Sequence, residues 1–281
     1  MKKILSGIIG IIGIIGLTAC DKIEADEYTV YDGAAVSWTA GSGAIDNPVQ
    51  NAYVEKYTGP RCPNCPDADV TLDLAKAQYG DRLVLVSINH PTGQGKPYPE
   101  QPDLRTDGGN AWDAWFGVNA IPAAFINRDK GTQYLGSMDN IVSAIGTALQ
   151  HNPEVGIEVS CSSSSDNRVD ASVQIQFLQS IDEKLTLTAA VVEDSLAYRQ
   201  LNGSETDDNY IHNHMLRKVV TGFWGSELPA SVKTQAGSLS QGNFSFSLPE
   251  EVVPQHCHLV VFLSYKGSRQ VLNCASCEIG D

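Results

Sequence analysis

Two cysteines separated by two residues are the side chains whose type and spacing most directly suggest chemistry. Cys62 and Cys65 flank Pro63 and Asn64, and two sulfur atoms at this spacing can form and break a disulfide. The pattern that follows predicts a helix over residues 67–79. Cys62 is therefore expected at the helix start, where free amides and the positive end of the helix dipole favour thiolate over thiol. Cys62 is the predicted nucleophile, and Cys65 is predicted to resolve a mixed disulfide.

The elements around the two cysteines form a β-α-β pattern. Residues 51–59 are strand-like and rich in β-branched and aromatic side chains, and residues 81–89 are predicted to form a fully buried strand. Pro63 and Pro66 do not exclude the helix between them, because the first amides of a helix have no partner within it. The dithiol is thus predicted where the first strand passes into its helix, and thiol chemistry requires it to be reachable there.

Two further features are predicted to serve the dithiol. Glu55 lies on the incoming strand seven residues before Cys62, and it can take or return the proton of the second thiol if it is buried beneath the pair. Residues 117–127 are predicted to form a strand that is entered through Pro122. The peptide bond between Ile121 and Pro122 can therefore be cis.

A dithiol at the end of the first core strand, with an X-Pro bond before a later strand, resembles the thioredoxin superfamily. The resemblance implies a thioredoxin-like domain over residues 48–151, in which Pro122 shapes the substrate groove and the backbone of Ile121 pairs with an extended peptide. The sequence also departs from ordinary thioredoxins. No tryptophan precedes Cys62, one extra residue separates the glutamate from the dithiol, and residues 90–109 form a long Pro/Gly-rich insertion that we expect to cover one edge of the site.

The second half of the chain has a different composition. After a predicted closing helix over residues 139–150, a boundary is expected at residues 151–153. Short alternating runs joined by Ser, Asn, Gly and Pro clusters then cover residues 156–161, 169–177, 185–192, 214–221, 243–248, 259–265 and 270–274. Seven such runs predict an all-β, immunoglobulin-like sandwich over residues 152–281. The expected fold class is an α/β thioredoxin-like domain followed by this sandwich.

The amino-terminal part of the chain carries an export signal and a spacer. Two lysines precede an apolar run, and residues 17–20, Leu-Thr-Ala-Cys, resemble a bacterial lipobox, whose cysteine is acylated. Residues 1–19 are therefore predicted to be a lipoprotein signal peptide, with membrane attachment through lipid on Cys20. Residues 20–47 are predicted to be an acidic linker that includes an edge strand at residues 30–38.

The chain after the lipobox also resembles a narrower family. Residues 54–59, Val-Glu-Lys-Tyr-Thr-Gly, lead into the Cys-Pro-Asn-Cys-Pro core at residues 62–66 and then into a thioredoxin-like body and a β-rich half. This pattern is similar to the outer-membrane lipoprotein family named after a 28-kilodalton outer membrane protein of Gram-negative anaerobes. The resemblance implies an outer-membrane lipoprotein of the cell envelope, and it implies fold and location more than mechanism.

Neither a metal site nor nucleic-acid binding is predicted. A zinc site would need Cys274 and Cys277 as its second pair, and about two hundred residues separate them from Cys65, far beyond the usual spacing. The chain carries 19 basic and 33 acidic residues, a net charge of −14 that would repel a nucleic acid. Two histidine pairs lie on predicted strands without a clear acidic partner: His212 with His214, and His256 with His258.

The sequence therefore predicts a membrane-anchored thiol-disulfide oxidoreductase that acts on extracytoplasmic protein thiols or disulfides. The two sulfur atoms carry the chemistry, so no diffusible cofactor is expected. The alternative is a surface binding or adhesion lipoprotein whose thioredoxin-like domain is a scaffold with a structural disulfide. The residues between the cysteines do not distinguish oxidase, reductase and isomerase, and the pairing of the remaining cysteines is left open: Cys161, Cys257, Cys274 and Cys277.

Overall fold

The computed structural model describes residues 33–164 and 167–280. The predicted signal peptide, residues 1–19, and the predicted lipid attachment site at Cys20 lie outside these residues, as does the first part of the predicted linker. None of the helices in the described ranges is both long and apolar enough to cross a membrane.

The first half of the described chain places helices on both faces of a sheet. Its strands are β2 (Ala52–Thr58), β3 (Leu83–Asn89), β4 (Ala123–Ile126) and β5 (Gln133–Leu135), and its helices are α1 (Cys65–Tyr79), α2 (Asp107–Phe116) and α3 (Ile141–Ala148). β2 pairs with β3 in parallel and with β4 antiparallel. Every residue of β2 and β3 is buried, as strands covered on both faces require. This arrangement is the β-α-β unit that the sequence predicted.

The remaining strands come from the second half, apart from one strand of the predicted linker. They are β1 (Ser37–Ala40), β6 (Val155–Ser163), β7 (Arg168–Phe177), β8 (Leu185–Glu193), β9 (Leu196–Asn202), β10 (Glu205–His212), β11 (Met215–Val219), β12 (Ser226–Glu227), β13 (Leu239–Ser247), β14 (Cys257–Tyr265) and β15 (Val271–Glu278). Each of the seven predicted runs overlaps one of these strands. The hairpin of β9 and β10 was not predicted, and it covers the dithiol.

The strands of the two halves join into one sheet of nine strands. Its order is β15-β14-β8-β11-β3-β2-β4-β5, with β12 paired to β8 at the side. The join is a parallel contact of β11 with β3 that aligns Met215 with Ser87, and the Ser87 amide donates to the His214 carbonyl at 2.7 Å. Strands from both sides of residue 151 belong to this one sheet. The division of the chain into two domains at that residue therefore stays a prediction.

A second sheet of four strands, in the order β1-β13-β7-β6, packs on one face of the large sheet. Alternate side chains of β8 point to opposite faces of the large sheet. Leu187 and Val191 contact the small sheet, whereas Ala190 and Val192 face the core beneath α2. The protein is therefore a mixed α/β fold with a large β-rich part, and the immunoglobulin-like topology stays a prediction.

One disulfide ties the two sheets together. Cys161 of β6 is bonded to Cys277 of β15, with their Cα atoms 6.5 Å apart. The other two cysteines of this half, Cys257 and Cys274, are free and buried. Burial raises the pKa of the Cys257 thiol to about 12, and burial also raises the pKa of the Cys274 thiol. Neither thiol can act as a nucleophile near neutral pH.

Candidate functional site

The disulfide of Cys62 with Cys65 lies at the carboxyl end of β2, where the chain turns into α1. The two Cα atoms are 5.4 Å apart. The Cys62 amide donates to the Gly59 carbonyl at 3.0 Å, and the Cys65 amide donates to the Cys62 carbonyl at 3.4 Å. α1 begins at Cys65, so Cys62 lies in the turn immediately before the helix rather than at its first residue. The helix nevertheless follows the cysteine pair directly, as the sequence predicted.

Both cysteines are buried. Cys62 has 0% of its surface exposed and Cys65 has 1%. Thiol chemistry needs a reachable sulfur, and this conformation does not expose either one. Exchange at Cys62 therefore requires a movement of whatever covers it.

The hairpin of β9 and β10 forms much of that cover. The Leu201 amide donates to the Pro60 carbonyl at 2.8 Å, and the Gly203 amide donates to the Pro63 carbonyl at 2.9 Å. The buried Gln200 side-chain amide donates to the carbonyl of Cys62 at 2.9 Å. A segment almost 140 residues away in sequence thus contacts the backbone of the predicted nucleophile.

The long Pro/Gly-rich insertion covers a second edge of the site, as predicted. The Arg61 amide donates to the Gln94 carbonyl at 3.0 Å. The Arg61 guanidinium donates to the Pro97 carbonyl at 2.6 Å and lies over the ring of Tyr98. A side chain at Gly59 would collide with the backbone of Gln94, which accounts for glycine at that position. The insertion therefore packs tightly on the turn that carries Cys62.

A groove also borders the cysteine turn. The Ile121–Pro122 peptide bond is cis, and the Pro122 carbonyl accepts a hydrogen bond from the Gly136 amide at 2.7 Å. Pro122 and Asn64, the residue before Cys65, line one groove of about 440 Å³. The structure thus brings the predicted substrate-shaping proline to the cysteine turn. Ile121 packs against the aromatic core beneath α2.

Glu55 is not beneath the dithiol, contrary to the sequence expectation. Because β2 side chains alternate, Glu55 points to the face opposite α1, where it is fully buried. Its carboxylate accepts hydrogen bonds from the Tyr53 hydroxyl at 2.8 Å and the Tyr57 hydroxyl at 3.3 Å, and from Arg128 Nε at 2.8 Å. Burial, reinforced by Glu55, raises the pKa of both tyrosines, which stay protonated donors. Glu55 is thus part of a buried ion pair with Arg128.

The charged group on the α1 side of β2 is Lys56, which sequence analysis missed. Its ammonium pairs with Asp69 of α1, one helical turn after Cys65, and the Tyr210 hydroxyl donates to the same carboxylate at 2.8 Å. Burial lowers the pKa of Lys56 to about 7, against the opposing charge of Asp73. A lysine within a predicted buried strand was the signal available in the sequence, since such residues are almost never buried unpaired.

The histidine pairs do not converge as pairs. His214 Nδ1 and His258 Nε2 lie 3.2 and 3.1 Å from the two carboxylate oxygens of Asp194, so one residue of each pair meets there. His212 is buried, and burial with the nearby charge of Lys56 lowers its pKa to about 4. Within the described ranges, no group of three or more His, Cys, Asp or Glu side chains is arranged to hold a metal ion.

His212 makes the stability of the protein sensitive to acid. Its pKa falls from 6.5 in the unfolded chain to about 4 in the fold, so its contribution is complete above pH 6.5 and is lost as the pH falls towards 4. We expect wild type to lose up to about 3 kcal/mol over this interval relative to a His212→Phe variant. Urea unfolding at several pH values measures the difference. Parallel pH profiles for the two proteins would contradict the assignment.

Comparisons with known proteins identify a family and several similar proteins. The family model described as outer membrane protein Omp28 matches residues 109–281. A probable thioredoxin from Methanothermobacter marburgensis is 32% identical over 74 residues, which are 26% of this chain and 68% of that protein. HBP35 of Porphyromonas gingivalis superimposes with a TM-score of 0.66 at 17% identity, over 84% of this chain and 77% of that one, and therefore shares the fold. A domain of the outer membrane lipoprotein Omp28 from Porphyromonas gingivalis has a TM-score of 0.32 at 16% identity, over 46% of this chain and 90% of that domain.

Proposed function

The chain belongs to the Omp28 family of outer membrane proteins, and we propose that it is an envelope lipoprotein that exchanges disulfides with other proteins at Cys62 and Cys65. The family resemblance inferred from the sequence is confirmed, and membership supports a location in the cell envelope. Attachment through lipid on Cys20 is part of the proposal, as are partners that carry extracytoplasmic thiols or disulfides. The disulfide beside the cis Pro122 groove is the observation that carries it.

The exchange proceeds in two steps from the oxidised state. A substrate thiolate attacks Cys62 Sγ, the Cys62–Cys65 bond breaks, and Cys65 leaves as a thiolate. A second substrate thiolate then attacks the substrate sulfur of the mixed disulfide and releases Cys62 as a thiolate. Two electrons pass from the substrate to the protein, and the reverse sequence reduces a substrate disulfide. No diffusible cofactor is needed, because the two sulfurs accept both electrons.

A second function is favoured by the burial of both sulfurs. In that account the bridge is structural, and the β-rich half binds a partner at the cell surface while the thioredoxin-like half serves as a scaffold. Residues 152–281 would then supply the binding surface, with the immunoglobulin-like topology expected from the sequence. The two accounts differ in one property, the ability of the pair to exchange.

An exchange assay tests the proposal. The oxidised protein is incubated with a reduced, unfolded substrate protein in a glutathione buffer, and formation of substrate disulfides is followed by mass. We expect catalysis by wild type and by Cys257→Ser, a matched variant of a buried free cysteine. We expect only the uncatalysed rate from Cys62→Ser with Cys65→Ser. Equal rates for wild type and the double variant would leave the scaffold function.

A further inference from the structure

We infer that the turn formed by residues 59–63 is a docking strip for an extended peptide, and that the β9–β10 hairpin is a lid that occupies this strip until a partner displaces it. The inference deepens the proposed function and rests on it, because it concerns access to the same dithiol. The substrate class it names is an extended, non-helical segment of a partner protein that carries a cysteine.

Backbone hydrogen bonds define the strip. The Leu201 and Gly203 amides, two residues apart, donate to the carbonyls of Pro60 and Pro63. The acceptors lie in a turn and are three residues apart, so these are main-chain contacts without a regular β-ladder. An extended segment of a partner protein also carries main-chain amides that can donate to these carbonyls. The hairpin therefore occupies main-chain carbonyls that a partner segment would need.

The Gln200 side chain holds the hairpin against the cysteine turn. The residue is 2% exposed, and its side-chain amide donates to the carbonyls of Cys62 at 2.9 Å and Gly59 at 3.2 Å. A buried donor that satisfies two buried carbonyls contributes to closure, because removing it leaves those carbonyls without that partner. Gln200 is thus the side chain that holds the hairpin directly against the backbone of Cys62.

Tyr210 connects β10, the outer strand of the lid, to helix α1. Its hydroxyl donates to Asp69 of α1 at 2.8 Å. Apart from Tyr210 and His212, the residues of β10 are exposed. β9 is the strand that β10 pairs with, and the two form a sheet of their own rather than an extension of the main sheets. An element with few buried apolar contacts opens locally without unfolding the core.

The base of the hairpin is tied to the body of the protein. Ser195 before β9 and His214 after β10 both adopt positive φ, at 63° and 59°, and the Ser195 amide donates to the Asn213 side chain at 2.9 Å. Leu196 at the start of β9 packs with Met215 in a small separate core. The base of the hairpin therefore stays anchored to the body while the tip, at Gly203, can lift from the cysteine turn.

Alkylation of Cys62 in the reduced full chain measures opening of the lid. Reduced wild type, Gln200→Ala, Tyr210→Phe and the matched control Thr206→Ala, an exposed position on β10, are treated with iodoacetamide under native conditions. Peptide mass spectrometry reads the Cys62 peptide separately from those of the other cysteines. We expect wild type and Thr206→Ala to react slowly, and each lid variant to react about 3- to 10-fold faster, the factor for losing one hydrogen bond. Equal rates in all four proteins would overturn the lid.

Hydrogen exchange on the unmodified protein gives a second reading that does not depend on a variant folding. We expect the amides of Leu201 and Gly203 to exchange faster than those of the buried strand β8, because the lid opens without the core. Equal protection of the hairpin and β8 would contradict a lid. If the lid variants were alkylated faster but wild type gave no catalysis in the exchange assay, the lid would be supported and the oxidoreductase function rejected. If wild type gave catalysis but neither lid variant changed the alkylation rate, the oxidoreductase function would be supported and the lid rejected.

Discussion

Replacing Arg128 by methionine is expected to lower the free energy of unfolding by about 3 to 5 kcal/mol at neutral pH, the cost of leaving a buried charge without its partner. The Arg128 side chain is 1% exposed, and one of its terminal nitrogens lies 2.5 Å from the fully buried Glu55 carboxylate. The guanidinium also lies over the rings of Trp112 and Phe262, at 4.3 and 4.6 Å from their centroids. Urea unfolding monitored by circular dichroism measures the loss.

The double variant with Glu55→Gln is the matched control for this prediction. Glutamine keeps an oxygen that can accept from the Tyr53 and Tyr57 hydroxyls but carries no charge, so the double variant is expected to recover most of the lost stability. A double variant no more stable than Arg128→Met alone would show that the loss comes from packing of the arginine rather than from the stranded carboxylate.

A Cys65→Ser variant is expected to accumulate a mixed disulfide at Cys62. Oxidised glutathione attacked by the Cys62 thiolate leaves one glutathione bound to Cys62, and wild type removes it when Cys65 attacks that bond. Without Cys65 the adduct persists, so its lifetime should increase by at least about 100-fold and turnover should fall by a similar factor. Intact mass measured during a time course follows both species.

Cys274→Ser is the control for this experiment. Cys274 is fully buried on β15, and burial raises the pKa of its thiol, so it should neither form nor resolve the adduct. Its variant is expected to behave as wild type. The lid substitutions expose Cys62, so Cys65→Ser is also combined with each of them in one chain. If Cys62 stayed unmodified in these combined variants too, Cys62 would not be a nucleophile.

The sequence predicted the elements of the fold more completely than their connection. A run rich in β-branched and aromatic residues marked β2, a largely apolar run marked β3, and alternation marked the strands of the second half, because these patterns are local. The contact that aligns Met215 with Ser87 joins strands far apart in the chain, and no local pattern encodes it. The sheet shared by the two halves could therefore be seen only in the structure.

The sequence predicted the residues that meet at the candidate site better than it predicted what surrounds them. The cysteine spacing and Pro122 identified the dithiol and its groove, since both depend on residue type. Glu55 was expected beneath the pair but lies on the other face of β2, because a one-residue difference along a strand reverses the face, and Lys56 lies on the α1 side instead. The hairpin did have a local signal, Gly203 and Ser204 after Asn202, which is a typical two-residue hairpin turn. Its position over Cys62 is a tertiary contact that this signal does not contain.

The reduction potential of the Cys62–Cys65 pair tests the central claim most directly. The protein is equilibrated in glutathione buffers of graded potential, and the oxidation state of this pair is read by mass spectrometry, with Cys161 and Cys277 followed in the same spectra. Disulfide exchange predicts a potential between about −270 and −120 mV, the range of proteins that exchange disulfides. A potential below about −300 mV, where structural disulfides lie, would contradict the account and identify the pair as a structural bridge.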